Sequence, residues 1–184
     1  MQGVLDMEVG AALRKAELRA WVSEMGESTA VLGGILRVMH PATFASGLKC
    51  IEGIKHSKKV VKREHLDEVL EVWTSPYTTF SLINNRDTPL HRDNGGSHTV
   101  MDMLVSVGPY ESGEFVVPGL GLTFHYSSGT VIGLLGRIVR HGAEATGQRL
   151  CFAQYLRENV LEALGISDPE WVNIKDIFEE RNVH

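Results

Sequence analysis

Asn84-Asn85-Arg86-Asp87-Thr88-Pro89-Leu90-His91-Arg92-Asp93 is the stretch whose reading decides the fold. It sets an imidazole and a carboxylate, His91 and Asp93, at alternate positions. Alternate residues of an extended chain point to the same side. Two such donors facing one point are two thirds of a 2-His-1-carboxylate set, which suits non-heme Fe(II) and leaves coordination positions open for chemistry. His-x-Asp alone is a weak motif, and an isolated histidine here reads more readily as a surface turn residue. The reading therefore turns on whether the chain supplies a second histidine and an anchor for a cosubstrate.

Composition sets the bounds. At 184 residues the chain can bury the core of one sizeable domain. Its 43% hydrophobic and 22% charged residues match an ordinary globular protein. A net charge of −5 argues against a polybasic nucleic-acid binder overall, while leaving room for a local basic patch. Cys50 and Cys151 stand far apart in no metal-binding spacing, which predicts a reducing, intracellular compartment. Asp6 and Glu8 interrupt the N-terminus, so no signal peptide is expected, and no run is long enough to cross a membrane.

The first part of the chain reads as helical. Residues 8–22 form an amphipathic pattern, residues 28–39 a helix bent at Gly33-Gly34, and Pro41 opens a helix to Ile54. The basic run of 55–63 is a solvated loop or, through Lys58, Lys59, Lys62 and Arg63, a DNA-backbone contact. A short helix over 65–73 stops at Ser75-Pro76. From Tyr77 the pattern changes to strands at 78–84, 99–107, 114–117, 122–126, 130–135, 138–141 and 149–155, punctuated by glycine turns. A helix over 156–164 stops at Gly165, and 168–178 is a polar tail with a last helix. Helices, then many short strands, then a helix predict an α+β fold, with N-terminal helices packed on a jelly-roll, cupin-like barrel. The expected organisation is one domain over 1–184: a helical part at 8–73, a β core at 77–156, and a C-terminal helix and tail at 157–184.

His141 supplies the missing imidazole. It lies late, on a predicted strand, and the small Gly142 and Ala143 leave space beside its ring. A little further on, Arg149 opens a strand that shows Cys151, Ala153 and Tyr155 on one face. An arginine inside a barrel needs a carboxylate partner, because an unpaired buried charge is too costly. No nearby acid offers itself. A dicarboxylic acid such as 2-oxoglutarate would meet Arg149 through one carboxylate, chelate the iron through its keto-acid end and leave a position for dioxygen. Zinc with a water, or a non-oxygenase cupin, could use the same three ligands; Arg149 tilts the choice toward an oxoglutarate enzyme. Around the site, Tyr126 is a candidate pocket residue. Arg137 shares the alternation face of His141 and points into the mouth or lies at its rim. Asn84 and Asn85 either contact substrate or cosubstrate or bond their own backbone as turn residues. Arg92 points away from His91 and Asp93, and His98 and His125 read as structural.

Several segments carry a family likeness. Ile83 to Asp93, Gly129-Thr130-Val131, Gly136-Arg137-Ile138-Val139-Arg140-His141-Gly142 and Gly147-Gln148-Arg149-Leu150-Cys151 resemble the TET/JBP family of Fe(II)/2-oxoglutarate dioxygenases, which oxidise methyl groups of pyrimidine bases in nucleic acid. The likeness is strongest to compact members from mushroom-forming fungi and runs from about Trp21 to Gly165. It implies a double-stranded β-helix, iron at His91, Asp93 and His141, 2-oxoglutarate at Arg149, and dioxygen as second cosubstrate. By the same resemblance the partner is DNA, the substrate a 5-methylpyrimidine such as 5-methylcytosine flipped into the pocket, and the location nuclear. Two other readings stay open: the same chemistry on a protein side chain or small molecule, which the acidic charge favours, and a catalytically idle binding module, against which the triad and Arg149 count.

Overall fold

Two four-stranded antiparallel sheets form the centre of the molecule, and helices cover the outer face of one of them. The computed structural model describes residues 7–61 and 63–171. Lys62 and most of the tail, with the helix expected there, lie outside the described residues; 168–171 are irregular.

The chain begins with β1 (Met7–Glu8), a 3₁₀ turn at Ala11–Arg14 and α1 (Ala16–Glu24). The single helix expected over 8–22 is thus broken. Gly10 is a poor helix former, and Met7 pairs in parallel with Val60 of β2 (Val60–Val61), drawing the first residues into a strand. α2 (Gly26–Met39) runs unbroken through Gly33-Gly34. α3 (Pro41–His56) starts as Pro41 predicts, with His40 Nδ1 accepting the Thr43 N–H at 3.1 Å as its N-cap. α4 (Arg63–Leu70) ends before Trp73, whose ring instead stacks on Phe80 at 5.5 Å. α5 (Glu158–Leu164) stops at Gly165 as expected.

The strands are β3 (Thr79–Asn84), β4 (Thr88–His91), β5 (Asp102–Val107), β6 (Tyr110–Val117), β7 (Leu122–His125), β8 (Val131–Leu134), β9 (His141–Gly147) and β10 (Leu150–Tyr155). One sheet has the order β3-β10-β5-β8 and the other β4-β9-β6-β7. The chain passes repeatedly from one sheet to the other, the winding of a double-stranded β-helix. The strand expected at 138–141 is a correction: residues 135–140 form a tight turn in which Ile138 and Val139 N–H both reach the Leu135 carbonyl at 2.9 Å. The strand begins at His141 instead. Its Gly-Ala-Glu-Ala-Thr-Gly run has little β propensity, and pairing with β6 on one side and β4 on the other holds it extended.

Two cores result. Leu32, Leu36 and Cys50 of the helices pack with Met103 and Phe152 of the first sheet. Phe115, Val117, Tyr126, Leu134 and Ala143 fill the space between sheets. The helical layer shares its core with the sheet. At Gly47 of α3 an added Cβ would stand 2.2 Å from the Pro76 carbonyl oxygen. Gly47→Ala is expected to destabilise by about 1–3 kcal/mol through overpacking. Gly34→Ala, with open space around it, should be neutral or stabilising by up to about 1 kcal/mol. Urea denaturation of the two variants checks the contrast.

Candidate metal centre and cosubstrate cavity

His91 closes β4 and His141 opens β9, and the register of the two strands puts them directly opposite each other. Their ring centroids are 4.4 Å apart. Asp93, in the loop after β4, reaches both: its Oδ1 is 3.3 Å from His91 Nε2 and its Oδ2 is 3.8 Å from His141 Nε2. The three ligand atoms all lie within 4.8 Å of one another, the grouping of side chains that could hold one ion. The tautomers suit the task. His91 Nδ1 lies 2.8 Å from the Pro89 carbonyl and His141 Nδ1 3.0 Å from that of Val139. A carbonyl can only accept, so each Nδ1 donates a proton to it, and each Nε2 is the ring nitrogen turned toward Asp93. Burial holds the His141 pKa below its ordinary value, against the opposing pull of the Val139 carbonyl and Asp93, which keeps the ring neutral for ligation. The donor set of two imidazoles and a carboxylate fits Fe(II).

The packing around the ligands is tight. Phe115 stacks on the His141 ring at 5.6 Å. Asp93 N–H donates to the Gly136 carbonyl at 3.0 Å, and a Cβ at Gly136 would stand 2.1 Å from Asp93 Oδ2. Only a residue without a side chain fits beneath this carboxylate.

The three residues line a cavity of about 470 Å³ together with Arg149, Tyr126, Cys151, Ala153 and Tyr155. The alternation read from the sequence of β10 is therefore the one that faces the cavity. Arg149 is 4% exposed. Its Nε donates to Ser106 Oγ at 2.8 Å, and its guanidinium lies over the Tyr126 ring at 4.8 Å. Tyr110 in turn donates to Ser106 Oγ at 2.9 Å. No carboxylate pairs with Arg149 among the described residues. A buried cation with spare N–H donors facing a cavity matches an anionic ligand.

The remaining candidates divide. Asn85 is a turn residue: its φ is +48°, its side-chain Oδ1 accepts the Arg149 N–H and its own N–H donates to the Arg149 carbonyl, both at 2.8 Å. Asn84 pairs with Leu150 at the end of β3, is exposed and does not line the cavity. Arg137 sits in the turn before β9, off any alternation with His141, and bonds the Asn94 carbonyl rather than entering the cavity. Of the basic run, Lys59 donates to the Ala163 carbonyl and Arg63 to those of Ser57 and Lys55. These charges close the C-terminal ends of α3 and α5, where carbonyls lack helical partners, and neither they nor Lys58 line the cavity. His98 and His125 are exposed and also stand outside it.

Three residues escaped the sequence reading. Arg86 lines the cavity as a further cation, on the same lining as Arg149 and Arg157. Ser106 was a lone hydroxyl on an apolar strand, which was the available signal. Asp102 is a cavity-lining acid only 7% exposed. Burial first, and the Asp93 charge second, push its pKa up to about 8, against a hydrogen bond from the Gly136 backbone. In metal-free protein the folded state keeps a proton that the unfolded chain releases near its ordinary value of 3.8. Stability should then fall as pH rises between about 4 and 8, by at most about 1.4 kcal/mol per pH unit. Asp102→Asn should flatten that slope, as read by urea denaturation across this range in a chelator.

Comparisons with known proteins agree with this geometry. Residues 11–158 match the TET/JBP family model, described as the oxygenase domain of the 2OGFeDO superfamily. Among curated proteins no sequence matches. Among solved structures the chain is similar to NgTET1 in complex with 5mC DNA, with a TM-score of 0.62 and 14% identity over all of this chain and 67% of that one. At that identity the likeness establishes the double-stranded β-helix fold.

Proposed function

The chain belongs to the TET/JBP family of 2-oxoglutarate- and Fe(II)-dependent dioxygenases, and on that premise we propose that it oxidises the methyl group of 5-methylcytosine in DNA. The observation that carries the reading is the pairing, within one cavity, of a facial triad with a buried arginine that has no carboxylate partner among the described residues. The superfamily uses Fe(II), 2-oxoglutarate and dioxygen. When bound, these supply oxidation of a C–H bond, one oxygen atom entering the substrate and the other entering succinate as CO2 leaves.

In this reading His91, Asp93 and His141 hold the metal. Arg149 takes the far carboxylate of 2-oxoglutarate, oriented by Ser106 and backed by the face of Tyr126. Arg86 adds positive charge to the same cavity. Phe115 and Ala143 wall the site beside the triad. The base must leave its stack to reach such a cavity. Residues 7–171 are read as one oxygenase domain, because the helices share their core with the sheet. DNA as the partner rests on the family and on NgTET1, which was solved with 5mC DNA. A nuclear site of action follows from that partner. Among the described residues no helix is long and apolar enough to cross a membrane. The net charge of −5 favours a second reading, the same chemistry on a side chain or small molecule.

Purified protein with iron, ascorbate and 2-oxoglutarate should convert 5-methylcytosine in DNA to its hydroxymethyl form, read by mass spectrometry of digested nucleosides. His91→Ala should abolish the product. Succinate formed on another substrate, with no oxidised base, would reject DNA and keep the enzyme class. Ser106→Ala should raise the KM for 2-oxoglutarate about tenfold with kcat little changed, because it frees the Arg149 fork without touching the triad.

A further inference from the structure

We infer that Arg92 and Arg137 are positioning residues that lock together the two segments carrying Asp93 and His141. The inference rests on the ligand assignment above. Asp93 lies in an irregular loop after β4, and His141 follows the tight turn of 135–140. Neither strand pairing reaches across the gap between these segments. Among the described residues, three hydrogen bonds do. Asp93 N–H donates to the Gly136 carbonyl at 3.0 Å. Arg92 Nε donates to the Ile138 carbonyl at 2.8 Å. Arg137 Nη1 donates to the Asn94 carbonyl at 2.8 Å. The two arginine bonds run in opposite directions, so each segment both gives a guanidinium and receives one.

This crossed arrangement does what a single bond cannot. One backbone bond leaves a hinge; bonds on both sides of it remove the rotation. The accepted carbonyls are also well placed. Asn94 follows Asp93 directly, and Ile138 precedes Val139, whose carbonyl orients the His141 ring. The guanidinium is a rigid planar donor, so one bond fixes its plane, whereas an ammonium is a point charge on a flexible stem. Gly136 leaves no side chain to brace the Asp93 carboxylate from below. Bracing must come from beside the carboxylate, where Arg92 precedes Asp93 and Arg137 holds the Asn94 carbonyl from the facing turn. Arg92 is exposed and Arg137 half-buried, so their loss should disturb the spacing of the ligands far more than the stability of the fold.

The test titrates Co(II) into wild type, Arg92→Gln, Arg137→Gln, Arg137→Lys and His91→Ala, following the visible absorption band, with thermal melts of each metal-free protein. Each glutamine variant should weaken Co(II) binding about tenfold, the range known for residues that orient metal ligands. The absorption band should change shape, and the metal-free melting temperature should move little. Arg137→Lys should recover part of the affinity. Unchanged affinity and band in both glutamine variants, or a lowered melting temperature with unchanged affinity, overturns the proposal. Wild-type affinity in His91→Ala instead overturns the ligand assignment beneath it. Because metal binding alone is read, failure of base oxidation leaves the result standing.

Discussion

The opposition of His91 and His141 across β4 and β9 is the constraint on which the rest of the structure depends. A strand presents alternate residues to one face, so a slip of one position would turn an imidazole outward. The register is irregular here: Thr88 faces Ala143 while His91 faces His141, which leaves unequal lengths on the two strands between those pairs. That irregularity brings the rings level. It also needs β9 to be held from its other side, which the long pairing with β6 provides. Phe115 on β6 then stacks on His141 and completes the wall.

The site is built against the preferences of a hydrophobic core. Among the described residues it buries a guanidinium with no carboxylate partner, sets an acid with a raised pKa beside Asp93, and leaves Asp102 Oδ1 without a hydrogen-bond partner. Groups of this kind cost stability unless a ligand or ion compensates them. Metal at the triad would relieve the repulsion between Asp93 and Asp102, and an anion at Arg149 would neutralise the other end. The core that the helices share with one sheet, and the second core between the sheets, hold these groups in place.

Much of this was legible in the residues. The alternation of Arg149, Cys151, Ala153 and Tyr155 named a face that the structure turns to the cavity. Pro41 and Gly165 marked helix ends correctly. The failures share a cause. Ile138 and Val139 look like strand, and the following Gly-Ala-Glu-Ala run does not, yet pairing partners distant in sequence decide the matter. Arg137 was assigned to the His141 face by a period that holds only in a strand. The basic run looked like a surface for a polyanion because helix C-termini, which Lys59 and Arg63 satisfy, are invisible until the helices are placed. Asp102 was missed for a similar reason: nothing local distinguishes a buried acid from an exposed one.

Asn85 holds a less obvious consequence. Its paired bonds to the backbone of Arg149 fasten the β3–β4 turn to the start of β10. From that fastening the chain runs without interruption to His91, so the span from arginine to triad is measured out by a fixed count of peptide units. The spacing of the two ends is thus tied to backbone length. An insertion or deletion between Asn85 and His91, or between His141 and Arg149, would change that span in a way that a point substitution in the cavity would not.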